Sequence, residues 1–138
     1  MRRLVMGITL LVVLGLASFY YFQIGVSPEV KRERHLKKAQ EYMDRSQTNE
    51  AIIELKNALK ADPGYAVAHH RLGMALLQKG DYRSAYSEFV RATDLQPNLL
   101  PARYQLGNLY VLSRDIPKAR EQLTKIQENK KDSQEARY

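Results

Sequence analysis

The stretch LGMALLQKGDYRSAYSEFVRATDLQP, residues 72–97, decides the fold. Apolar and small residues recur on both sides of Gly80-Asp81 at helical spacing, and the second run stops at Pro97. A glycine and an N-capping aspartate in the middle mark a tight turn between two helices. Proline lacks the amide donor and restricts the residue before it, so it closes the second helix. The unit is an antiparallel helical hairpin.

Shifting the chain by 34 residues lays this hairpin over the segments on either side. Ala39, Gly73 and Gly107 fall in one column, as do Ala51, Ala85 and Ala119, and Leu55, Phe89 and Leu123. Ala58 and Ala92 align with Ile126, and Pro63 aligns with Pro97. Five columns in register over three copies are far more specific than any short motif. Small residues let paired helices approach, while Tyr42, Leu76, Tyr110 and the Leu55, Phe89, Leu123 column fill the space between them. Asp115 with Pro117 makes the turn of the third copy, and Ser46, Gln47 and Thr48 make it less sharply in the first. Lys131 stands where the third closing proline is expected.

These residues resemble the tetratricopeptide-repeat (TPR) family over about 32–133. Its pattern of a small residue, a tyrosine, an alanine, an aromatic or leucine, an alanine and a proline is best met by Leu72, Gly73, Asp81, Tyr82, Ala85, Phe89, Ala92 and Pro97. His35 and Lys38 depart from it in the first copy. The resemblance implies an α-solenoid of three hairpins, 32–65, 66–99 and 100–133, whose concave face binds peptides or helices of partner proteins. By family position that face carries Leu36, His70 and Tyr104 in one row, Gln40, Met74 and Asn108 in a second, and Met43, Leu77 and Val111 in a third. Members that clamp a chaperone's terminal carboxylate use basic and asparagine side chains. Leu36, Gln40 and Pro101 hold three of those columns here, which disfavours that ligand.

Upstream, residues 4–26 carry no charge, 23 in a row, which exceeds the ~20 needed to cross a bilayer as a helix. Arg2 and Arg3 precede the run in a basic start at 1–3, and Phe19, Tyr20, Tyr21 and Phe22 suit the headgroup level at its far end. Gly15 and Ala17 before Ser18 offer a signal-peptide cut, but the apolar run continues past it, which favours an uncleaved transmembrane anchor. The fold class expected is therefore all-α, one N-terminal transmembrane helix, a linker at 27–31, and the three hairpins. The basic start favours the repeats outside, whereas Lys31, Arg32, Arg34, Lys37 and Lys38 just after the run favour the reverse. The outward orientation is the one expected. Those five membrane-proximal residues are also candidates for anionic headgroups.

The segment SPEVKRERHLKKA, residues 27–39, resembles the join between anchor and first repeat in bacterial envelope TPR proteins linked to exopolysaccharide export and protein sorting. Those proteins commonly carry a lipidated cysteine. This chain has no cysteine, so the resemblance implies an envelope association, with repeats on the periplasmic side of an inner membrane, and no lipid anchor.

At the other end Ala136, Arg137 and Tyr138 fall 34 residues after Ala102, Arg103 and Tyr104, so 134–138 is either a tail or the start of a truncated fourth repeat. An uncapped last helix would leave Leu123 and Ile126 without a partner and offers a surface for self-association.

No glycine-rich phosphate loop, zinc spacing or nucleophile elbow is present. Adjacent His69 and His70 lie about 100° apart around a helix and cannot both face one metal. No catalytic residue, cofactor or metal site is expected, and the chain is not expected to be an enzyme. Lys and Arg exceed Asp and Glu, giving a net charge of +7, but the charges are interspersed rather than blocked, so no nucleic-acid partner is expected either. The expected function is a membrane-anchored scaffold that holds a protein or peptide ligand in its groove. The alternatives are the substrate-recruiting part of a larger enzyme or export complex, and a self-associating structural protein.

Overall fold

A computed structural model describes residues 27–135, which form six helices: α1 (Pro28–Asp44), α2 (Thr48–Ala61), α3 (Ala66–Lys79), α4 (Tyr82–Leu95), α5 (Leu100–Leu112) and α6 (Ile116–Glu135). Each packs on its neighbours in chain order, making three antiparallel hairpins stacked in a row. The transmembrane segment expected at 4–26 and the residues 136–138 lie outside the described residues. Among the described residues no helix is long and apolar enough to cross a membrane.

The three hairpin turns are built alike, although only one contains glycine. Ser46, Gly80 and Arg114, spaced by 34, all have positive φ, at 59°, 84° and 61°. In each, two backbone N–H groups return to the end of the preceding helix. Ser46 N donates to Met43 O and Gln47 N to Tyr42 O; Gly80 N donates to Leu77 O and Asp81 N to Leu76 O; Arg114 N donates to Val111 O and Asp115 N to Tyr110 O. This pair of bonds satisfies carbonyls that the helix end would otherwise leave open. Glycine takes the left-handed geometry without steric cost, whereas serine and arginine are strained in it. The next residue caps the second helix where it is an aspartate: Asp81 Oδ1 accepts from Ser84 N at 3.1 Å and Asp115 Oδ1 from Lys118 N at 3.2 Å. Gln47, in the same column, makes no such bond.

Between hairpins the prolines act as the spacing requires. The residues before them, Asp62 and Gln96, are extended with φ of −143° and −137°, and α2 and α4 both have 14 residues. Where Lys131 replaces proline nothing breaks the helix, and α6 runs for 20 residues to Glu135, past the expected repeat limit at 133. At the other end α1 starts earlier than expected. Ser27 caps it by accepting from Val30 N, and Pro28 sits in its first turn, where a missing amide hydrogen costs nothing. The stretch 28–31, expected to be linker, is therefore the first turn of α1.

The core runs along the stack from Leu36 and Ala39 through Leu55, Leu72, Ala85 and Phe89 to Ala102 and Leu106. Phe89 and Leu55 are its largest fully enclosed side chains. Among the described residues α6 contributes no buried apolar side chain. The column that is 1% exposed at Leu55 and 0% at Phe89 is 54% exposed at Leu123, because among the described residues no further hairpin covers that face. Leu123 and Ile126 line a cleft of about 310 Å3 there, with Tyr104, Val111 and Ile116.

Candidate functional site

The first helix of each hairpin, α1, α3 and α5, carries the nine residues expected in the groove, and the structure separates them. Leu36 is only 3% exposed and belongs to the core, so it is not a groove residue. His70, in the same row, is half-buried with its ring 5.9 Å from that of Phe89, and Tyr104 is 60% exposed. Exposure thus rises along the row from the first hairpin to the last, and only Tyr104 stands in solvent. Burial beside Arg71 pushes the His70 pKa down and keeps the ring neutral.

The other two rows are more accessible. Gln40, Met74, Asn108 and Val111 are exposed, while Met43 and Leu77 are half-buried and pack against the core. Gln40, Met43, Arg71 and Met74 line a cleft of about 190 Å3 between α1 and α3, floored by Ala39 and Leu55. Gln40 Nε2 donates to Asp44 Oδ1 at 2.8 Å, which orients its amide along the helix. Tyr104, Asn108 and Val111 do not join that cleft. They line the cleft on the open face of the last hairpin instead. The groups offered are thioether, phenol, amide and aliphatic, which bind by burial and hydrogen bonding rather than by proton transfer or covalent attack.

Of the five membrane-proximal basic residues, Arg32 is turned inward. Its guanidinium donates to Asp62 Oδ2 at 2.7 Å, bonds Glu33 at 3.0 Å, and lies 4.0 Å above the Tyr65 ring. It ties α1 to the loop between α2 and α3 and is unavailable to a headgroup. Lys31, Arg34, Lys37 and Lys38 are exposed.

Two features had been missed. Columns 35, 69, 103 and 54, 88, 122 form a polar latch in every hairpin: His35 Nδ1 is 2.5 Å from Glu54 Oε2, His69 Nδ1 is 2.6 Å from Glu88 Oε2, and Arg103 Nη1 donates to Gln122 Oε1 at 3.2 Å. The latch also reaches back. His69 Nε2 faces Pro63 O at 3.1 Å and Arg103 Nε donates to Pro97 O at 2.5 Å, so each joins its own hairpin to the preceding loop. Both His69 nitrogens face acceptors, which only the cation satisfies, and the bond to Glu88 raises its pKa against the effect of burial. The matching 34-residue steps of the histidine and glutamate columns were the available signal.

The second feature is an open cleft of about 500 Å3 lined by Tyr82, Tyr86, Tyr110 and Lys118. The Tyr86 and Tyr110 hydroxyls are 3.0 Å apart, and burial and that bond push the Tyr110 phenol pKa up. The repeat pattern gave Tyr82 and Tyr110 their columns but did not announce the cleft, because Tyr86 lies outside them.

The comparisons with known proteins agree with the hairpin geometry. The profile described as TPR repeat matches residues 39–80, and that described as tetratricopeptide repeat matches 76–138. Residues 39–138 belong to the tetratricopeptide-repeat family. A TPR repeat-containing protein of Pseudomonas aeruginosa is 40% identical over 62 residues, 44% of this chain and 25% of that protein. Human Superkiller complex protein 3 is 28% identical over 86 residues, 62% of this chain and 5% of that one. The chain thus spans a quarter or less of the length of these relatives. Among solved structures, that of MamA superposes with a TM-score of 0.71 at 19% identity, covering 86% of this chain and 75% of that one. The second TPR domain of Spaghetti, solved with an HSP90 peptide bound, gives 0.66 at 16% identity, covering 70% and 89%. At these identities the likeness concerns the fold alone.

Proposed function

We propose that this chain is a membrane-anchored TPR scaffold, without catalysis of its own, that holds a peptide or an amphipathic helix of a partner protein against α1, α3 and α5. The observation that carries the reading is the exposure of apolar side chains on helices whose other faces are buried: Met74, Tyr104 and Val111 stand in solvent beside the amides of Gln40 and Asn108. Apolar anchors supply affinity to an extended or helical ligand, and amides fix its backbone. The Spaghetti TPR domain offers the precedent of a peptide bound on this fold. Its ligand class is disfavoured here, because Leu36, Gln40 and Pro101 hold columns where a carboxylate clamp needs cations and amides. The uncharged run at 4–26 supports single-pass anchoring, and an envelope assembly with the repeats on the periplasmic side fits the resemblance of 27–39.

Photo-crosslinking in native membranes tests this. Crosslinkers placed at Met74 and Tyr104 are expected to capture one common protein, and one placed at Lys56, on the exposed side of α2, is not. Capture from Lys56 alone would remove the groove assignment.

A further inference from the structure

The seam by which one hairpin packs on the previous one is apolar in the second and third copies. Ala68 and Leu72 fill it on α3, and Ala102 and Leu106 on α5, all almost wholly buried. The same columns at the first hairpin hold Arg34 and Lys38, and Lys31 stands in the column of Tyr65 and Leu99. Charge at these places leaves no apolar seat for a preceding helix and makes the first end of the stack a solvated, positive face.

The face is well segregated. At 100° per residue, Lys31, Arg34 and Lys38 fall within about 60° of arc on α1, with Lys37 about 60° further round. All four are exposed, and among the described residues none has an ion-pair or side-chain hydrogen-bond partner, in contrast to Arg32 beside Asp62. Of the acids on α1, only Glu41 shares that side. Glu29 and Glu33 lie on the other flank, and Asp44 falls about 20° beyond Lys37, outside the arc of the three seam cations. The uncharged run ends at Val26, and Ser27 caps α1 directly, so the basic columns begin five residues beyond it.

We infer that this stripe seats the first hairpin on anionic lipid headgroups, so that α1 lies against the membrane and the later hairpins project away from it. The inference rests on the anchor reading for 4–26, because short continuity with a membrane segment is what selects lipid over other anions. Each lysine or arginine held within a Debye length of such a surface strengthens binding about fivefold at low salt. The three seam cations account for most of the effect.

The test uses the full chain, reconstituted in vesicles of phosphatidylcholine with or without one quarter phosphatidylglycerol. The chain lacks cysteine, so Glu41→Cys on the stripe side and Gln40→Cys on the opposite flank accept single fluorophores. Headgroup-nitroxide quenching is expected to be several-fold stronger at 41 than at 40 in anionic vesicles, to vanish in 0.5 M salt, and to be equal in neutral ones. Combining Lys31→Gln, Arg34→Gln and Lys38→Gln is expected to abolish the difference while circular dichroism and the thermal midpoint hold. Equal quenching at both positions in anionic vesicles, or a difference that survives the triple change, overturns the stripe while leaving the anchor intact. A chain that fails to float with neutral vesicles refutes the anchor, and the inference with it. Shielding of the label at 41 by added polyglutamate, with anionic lipid silent, reassigns the stripe to an acidic protein and overturns the inference too.

Discussion

Adding one methyl group to the same repeat column is expected to act in opposite directions in the second and third hairpins. A Cβ on Gly73 would stand 2.6 Å from Phe89 Cε1, where ordinary contact begins near 3.4 Å, so ring or helix must move by about 1 Å. Phe89 is fully enclosed and the ring has nowhere to go. Overpacking of this kind costs about 1–3 kcal/mol, against about 1 kcal/mol gained by replacing glycine with alanine inside a helix. Gly73→Ala should therefore fail to stabilise and cost up to about 2 kcal/mol. At Gly107 a Cβ meets nothing closer than Gln122 Cβ at 3.6 Å, so Gly107→Ala should stabilise by up to about 1 kcal/mol. The first hairpin shows the matched solution, with Ala39 opposite Leu55. Phe89→Leu alone leaves a void costing roughly 1 kcal/mol, but Gly73→Ala with Phe89→Leu recreates that pair. The double variant should be more stable than the two single effects sum to by at least about 1 kcal/mol. Urea unfolding followed by far-ultraviolet circular dichroism in mild detergent measures all four. Additive single effects, or equal responses at 73 and 107, would refute the close approach of α3 to Phe89.

The positive-φ column offers a second contrast: Ser46→Gly and Arg114→Gly should each stabilise by about 1 kcal/mol, while Gly80→Ala should cost about as much, all read from denaturation midpoints. Leu55→Ala should cost about 2–5 kcal/mol and Leu123→Ala in the same column under about 1 kcal/mol, since only the former opens a cavity; equal losses would show that the last hairpin's open face is covered. His69 has a folded pKa above its unfolded value near 6.5, so its stabilisation is full below that value and fades as pH rises through the folded pKa. The stability difference between the chain and His69→Gln should shrink over that window. His70 has the opposite sign but is common to both proteins, so a difference that grows with pH would show the latch assignment to be wrong.

The hairpins were legible because their causes are local and repeated. Gly80, Asp81, Pro63 and Pro97 act on their own backbone, and the Leu55, Phe89, Leu123 column states its role three times. Leu36 was misplaced for the opposite reason. Family position puts it in a groove row, but its exposure depends on what packs against it in the assembled core, which one helix's sequence does not encode. Arg32 looked like one more surface cation until Asp62 and Tyr65, 30 and 33 residues away, came to meet it. The His69 and Glu88 columns were visible in the alignment, yet a polar pair 19 residues apart carries no meaning until α3 and α4 are laid side by side.

By itself the sequence determined the 34-residue period, the hairpin turns, the closing prolines and the small-against-large packing columns, because each follows from the conformational limits or volume of a residue at its own place. Only the tertiary structure decided which copies of a column are enclosed and which are bare. Burial is a property of neighbours, and the same leucine column is core at Leu55 and solvent at Leu123, depending on whether another hairpin lies against it.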